Sequence, residues 1–348
     1  MTSRFKICTD PKHLAWVSWT FLANNPINKT SYLMFCLADL IIIMFYSFVL
    51  VQRLHFSNFN YADAGIDSYD SNSNSTVFNT LTIGYTNDTY YKGNGIQLTF
   101  LREIDFELNT IVRENIPTLM IFTIVILALS VLTVMVAMIM ALRIENHVGL
   151  ENPSIVKKSI CFVLLSITTF LHMPLFDVIV RTIVATQGAT DMSLSSQLIN
   201  YVISAFGIIA FAALMLFLVR IFNICIPSDM VPWCAPVSNV TFLNLLIKAA
   251  LVVSNATDIE GKYTIVEIIF LFILQGFQAC YRVLFAPNYV KEVDLFIKTK
   301  DFAVCLVFFI GIICKALGDR NNYDVVYFII FIPIVTIGWI QFEAYRMQ

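Results

Sequence analysis

The stretch "LINYVISAFGIIAFAALMLFLV", Leu198 to Val219, decides the fold, because its 22 residues contain no charge. At 1.5 Å of rise per residue it makes a helix of roughly 33 Å, about the thickness of a bilayer's hydrocarbon core. The same signal recurs at Ser31 to Gln52, Ile116 to Leu142, Ile160 to Ala185, Tyr263 to Phe285 and Val325 to Phe342. Two shorter apolar runs, Thr241 to Ser254 and Phe302 to Leu317, interleave with the last two. Runs of that length either span or re-enter. The whole chain agrees: 58% of its residues are hydrophobic, 13% are charged and the mean hydropathy is +0.76, whereas a soluble domain is about a quarter charged. The expectation is an all-α polytopic membrane protein of about eight transmembrane helices, with six as the lower count.

Charge placement orients these spans. With eight of them both termini share one side, and that side carries thirteen Lys and Arg against seven on the other. The positive-inside bias then puts both termini in the cytosol. Omitting the two short runs would move Arg282 to Lys300 outside and erase the bias, so eight is favoured. The chain divides into a cytosolic segment 1–30, a first span 31–52, an extracellular insert 53–115, a seven-helix bundle 116–342 and a cytosolic end 343–348. In the first segment Asp10-Pro11 reads as a helix start, and Trp16, Trp19 and Phe21 give it an interfacial character. No short apolar core with a small-residue cleavage site precedes Ser31, so the first span carries the targeting. The expected location is the plasma membrane, ciliary membrane or a secretory-pathway membrane.

The insert is rich in Asn, Ser, Thr, Asp and Tyr, and holds the glycosylation acceptors Asn74 ("NST") and Asn87 ("NDT"). Both fall on the non-cytosolic side, where N-glycans are added. Asn255 ("NAT") falls there too, close to the membrane. "STVFNTLTIGY", "GIQLTFL" and "IDFELNTIV" alternate apolar and polar residues between Gly/Asn turns, which predicts two or three short strands, a small β-rich insert. A hairpin of that size is marginal alone and needs the bundle or a partner to lie against. None of the eight cysteines falls in the insert, so no disulfide framework is expected.

Known chemistries find little support. A net charge of −2 and pI near 6.1 give no basic field for nucleic acid. There is no phosphate loop, no dinucleotide fingerprint and no metalloprotease helix. The four histidines lack companions at ligand spacing, so neither metal nor cofactor is expected, and no catalytic residue is assigned. The expectation is a protein that is not an enzyme. What remains are ionisable residues inside apolar runs: Asp39, His172, Asp177, Arg181, Lys248, Glu267 and Lys315. A charge at mid-bilayer costs at least about 2.5–3.5 kcal/mol, so such groups face the bundle interior and pair. Asp177 and Arg181 stand four apart on one helix face and can neutralise each other. His172 lies about 140° around that helix from Asp177, and Pro174 frees the carbonyl of Phe170. The candidate cluster is Asp177, Arg181, Lys248 and Glu267. Its mixed signs favour a structural lock over an ion path, since a selectivity filter more naturally shows a ring of one sign.

From Arg220 onward, "IFNICIPSDMVPWCAPVSNVTFLNLLIKAALVV", "APNYVKEVDLFIKTKDF" and a last span closing on "WIQFEAYR" resemble the membrane region of tiny macrocysts type proteins of ciliates and slime moulds. The resemblance covers about the last third of the chain. It implies a multi-pass membrane region ahead of a long cytosolic part that often carries PAS-type sensor modules. This chain departs from that pattern by ending a few residues after its last span and by its β-patterned insert, and it would then be the membrane part of a longer protein. The resemblance brings no catalytic motif.

The functional expectation is a non-enzymatic membrane subunit or sensory module, in contact with lipids and with other membrane or extracellular proteins. The alternative is a channel or transporter using the charges of the third, fifth and sixth spans.

Overall fold

A computed structural model of the chain describes residues 27–56, 116–145, 155–188, 193–222, 239–257, 263–285, 288, 290–317, 334–342 and 345. The N-terminal interfacial helix, the β-patterned insert with Asn74 and Asn87, the proline-rich loop 223–238 and the start of the last span lie outside the described residues, as does the Lys315 side chain. In chain order the elements are α1 (Lys29–Phe56), α2 (Ile116–Glu145), α3 (Ile155–Ser166), a π-helical turn (Ile167–Leu171) and α4 (His172–Gly188). They continue with α5 (Leu194–Phe222), α6 (Asn239–Thr257), α7 (Thr264–Phe285) and α8 (Lys291–Leu317). Residues 334–342 form a further helical segment. All regular structure among the described residues is helical.

Five stretches are long and apolar enough to cross a membrane: Lys29–Val51, Lys157–Gln187, Leu194–Val219, Val240–Thr257 and Thr264–Phe285. The third span of the sequence is thus α3, the π turn and α4 together. The short run at Thr241 becomes the 19-residue α6, and the one at Phe302 is the second half of the 27-residue α8.

The helices are apolar outward. In α7, Gln275, Gln278 and Arg282 are buried with Ile268 and Leu271, while Val266, Ile273 and Phe277 are exposed. In water that arrangement would strand polar groups and expose a broad apolar face. In hydrocarbon it is the stable one, because polar groups find partners only inside the bundle. The chain is a helical membrane protein.

Contacts fix the helix directions. Asp39 meets Lys248 and the Tyr46 carbonyl meets Asn255 at the same sequence separation, 209 residues, so α1 and α6 run parallel in register. Lys29–Glu292 and Asp39–Lys300 join α1 to α8 at separations of 263 and 261, which makes that pair parallel too. α4 shares the direction: the preceding Thr169 reaches Lys248 and Asp177 reaches Tyr46. α7 opposes α8, since Arg282 meets Asp301 while Phe272 stacks on Phe309.

Two apolar clusters form the core, one around Phe35, Leu164 and Leu218, the other around Ile43, Leu251 and Phe308. Along α1 the first cluster ends at Cys36 and the second begins at Ile43; along α8 Ile297 belongs to the first and Val304 to the second. Asp39 and Lys300 occupy the gap between them. A charged layer therefore lies between two apolar ones.

Asn255 belongs to this packing. It is fully buried, and its amide nitrogen donates to the carbonyls of Tyr46 at 3.0 Å and Leu251 at 2.9 Å. A side chain so engaged is closed to glycan transfer, so the "NAT" site is a helix-packing residue. Asn255→Leu removes the added donor that ties α6 to the Tyr46 carbonyl of α1 and is expected to lower stability by about 1 kcal/mol. Thermal unfolding in detergent measures this, and an unchanged midpoint would deny Asn255 that role.

Candidate functional site

The charged layer starts from α1. Its buried residues Asp39, Ile43, Tyr46 and Leu50 recur at helical spacing, so one face carries a carboxylate and a phenol into the core. Each Asp39 oxygen has its own lysine. Lys248 Nζ donates to Oδ1, and Lys300 Nζ donates to Oδ2 at 2.6 Å. Asp39, Lys248 and Lys300 are all at most 5% exposed. Asp39 and Lys248 fall near the middle of the apolar stretches Lys29–Val51 and Val240–Thr257, and Lys300 lies nine residues into the parallel α8.

Lys248 also donates to the Thr169 carbonyl at 3.1 Å. Thr169 lies in the π turn, just before Pro174. A π turn interrupts the regular helical ladder, and proline withholds one N–H, so carbonyl oxygens in this segment are open to outside donors. The carbonyl seen to accept such a donor is that of Thr169, from Lys248. His172 follows one turn after Thr169. It is 4% exposed, and neither ring nitrogen has a hydrogen-bond partner. It interacts electrostatically with Lys248, Asp39 and Lys300, and the Ile167 carbonyl approaches it without well-formed hydrogen-bond geometry.

Two turns further along α1 lies a second centre. Arg181 Nε donates to Asp177 at 3.0 and 2.9 Å, and Tyr46 Oη donates to Asp177 Oδ2 at 2.8 Å. The pairing expected from the i, i+4 spacing is present, and Tyr46 ties it to α1. A third centre joins α7 to α8. Arg282 Nε stands 2.7 Å from Asp301 Oδ2, an ion pair without aligned hydrogen-bond geometry. Gln278 Nε2 donates to Asp301 Oδ1 and to Asn244 Oδ1, both at 3.2 Å. At the start of α8, Lys298 pairs with Asp294, which also accepts from the Asn288 N–H at 2.7 Å.

The four-residue cluster read from the sequence therefore divides. Asp177 and Arg181 stay together, Lys248 joins Asp39, and Glu267 sits in the first turn of α7, where a carboxylate favours the positive end of the helix dipole. Lys300, Asp301, Arg282, Asp294 and Lys298 were not assigned from sequence. Asp294, Lys298 and Asp301 follow one another at i, i+4 and i+7, the one local sign that this charged stretch is a helix face.

The rim behaves differently. Lys29 and Glu292 meet at 2.7 Å with both side chains largely exposed. The hydrogen bond from Lys29 holds the Glu292 carboxyl below its ordinary pKa, so its small contribution is present at neutral pH and is lost as pH falls through that lowered value. Solvent and salt screen such a pair.

Among the described residues no group of three His, Cys, Asp or Glu could hold a metal. The fold and site define a helical membrane protein with a buried, mixed-sign charge layer joining four helices. No family model, curated protein or solved structure matches the chain.

Proposed function

We propose that the chain is a non-enzymatic, eight-span membrane subunit whose buried charges lock its helices and whose extracellular insert engages other membrane or extracellular proteins. The observation that carries this reading is inter-helical pairing: Asp39 with Lys248 and Lys300, and Asp301 with Arg282, join α1, α6, α7 and α8. Acids spent on fixed partners are poor relay groups and good locks. The parallel run of α1, α4, α6 and α8, with α7 opposed to α8, is the alternation that eight crossings require. The stacking of Phe302 on Trp339, with centroids 4.5 Å apart, adds the segment 334–342 to α8. With cytosolic termini the insert carrying Asn74 and Asn87 faces outward.

The experiment is isolation of the full chain from its native membrane in mild detergent, beside a form whose residues 57–112 are replaced by a Gly/Ser linker. The expected result is a stoichiometric complex for the former that is lost in the latter. A chain that runs alone, and carries a current or uptake sensitive to Asp177→Asn without loss of folding, overturns the subunit reading and establishes the transport one. Treatment with an amidase that removes N-glycans should lower the mass in two steps, abolished singly by Asn74→Gln and Asn87→Gln. An unglycosylated chain from a glycosylating host would contradict the outward placement of the insert.

A further inference from the structure

The centre on Asp39 is unbalanced. Among the described buried residues, the acids Asp39, Asp177, Asp294 and Asp301 stand against five bases, Arg181, Lys248, Arg282, Lys298 and Lys300. Asp177, Asp294 and Asp301 each have a base of their own. The surplus falls on Asp39, where one carboxylate serves two ammonium groups.

Hydrogen-bond donors are in surplus at the same place. An ammonium has three N–H donors, and a neutral imidazole has one. Lys248 uses one on Asp39 and one on the Thr169 carbonyl, Lys300 uses one on Asp39, and neither His172 nitrogen makes a well-formed hydrogen bond, the Ile167 carbonyl lying nearby. His172 is on the same helix face as Thr169, three residues on, hence beside the Lys248 head. Unspent donors and an uncompensated positive charge buried inside a helical membrane bundle are both costly. One species satisfies both: an acceptor without donors that carries a single negative charge.

We propose that Lys248, Lys300 and His172 form a binding site for a small monoanion of the halide class, with Asp39 as the fixed counter-charge that holds the two lysines together. A halide adds no donor that needs a partner. Its single charge cancels the surplus, and as a single atom it suits N–H groups carried by the neighbouring α4, α6 and α8. The apolar clusters on either side keep water from competing. The site goes beyond the subunit reading, since a halide held there would make the stability of the locked bundle depend on the anion whether or not the protein has partners.

The test uses the full chain purified in detergent and unfolded thermally in sodium chloride, sodium bromide or sodium gluconate at equal ionic strength. Chloride and bromide are expected to raise Tm saturably by about 2–4 °C over gluconate. Lys300→Met and His172→Phe are expected to abolish that difference while the protein still elutes as a folded species. Equal Tm in all three salts overturns the proposal, because water or an uncharged lysine then meets the surplus. A halide effect that survives both variants overturns the placement. Should Lys300→Met not fold, the wild-type protein in bromide decides through anomalous scattering: a peak beside the Lys248 head supports the site, and its absence there refutes it.

Discussion

Asp39→Asn is expected to destabilise the bundle by about 3–5 kcal/mol, although it changes neither the size nor the shape of the side chain. The substitution removes the carboxylate that both Lys248 and Lys300 contact directly, and both lysines are almost wholly buried. Breaking a buried ion pair from one side leaves an unpaired charge in low dielectric, which is why the loss exceeds the net value of the pair. The pattern across variants is more telling than the single value. Replacing all three residues by leucine removes the desolvation cost along with the attraction and should recover most of the loss, as replacement of buried ion clusters by apolar groups often does. Thermal or denaturant unfolding of the purified variants measures this. If Asp39→Asn unfolds with the wild type, or if the triple leucine variant is worse than the single one, the layer does not lock the helices.

The membrane class was legible because it rests on composition and run length, which need no knowledge of contacts. The Asp177–Arg181 pair was legible for a similar reason, since four residues along a helix is a fixed geometry. The centre on Asp39 was not. Its partners lie 209 and 261 residues away, and spacing carries no information across separate helices. Lys300 was hidden further by its neighbours. "KEVDLFIKTKDF" averages as a polar loop when read by hydropathy, yet it folds as the first half of α8 with Asp294, Lys298 and Asp301 turned inward. The resulting inside-out helix is what a hydropathy window misses, because it weighs how much charge a segment has and not which way the charge faces. Asn255 shows the converse, a local motif whose reading was overridden by packing against Tyr46.

Gly311→Leu is expected to cost on the order of 3 kcal/mol or more, and it tests the other half of the α1–α8 contact. A Cβ at Gly311 would stand 2.8 Å from Val51 Cγ1 and 3.0 Å from Cγ2, closer than carbon atoms can approach. Val51 is 2% exposed and β-branched, so it has little freedom to rotate away. The helices must part, and parting them at Val51 also strains the Asp39–Lys300 bond about three turns away. In a bilayer no hydrophobic force draws helices together, and close backbone approach at small residues carries much of the association. Gly311→Ala presents the milder clash and gains about 1 kcal/mol of helix propensity, so its loss should be smaller. Val51→Ala should rescue Gly311→Ala, and a double-mutant cycle in detergent unfolding gives the coupling. Additive effects of the two substitutions would show that α1 and α8 do not meet there, and with that contact the parallel register carrying Asp39 to Lys300 would fall.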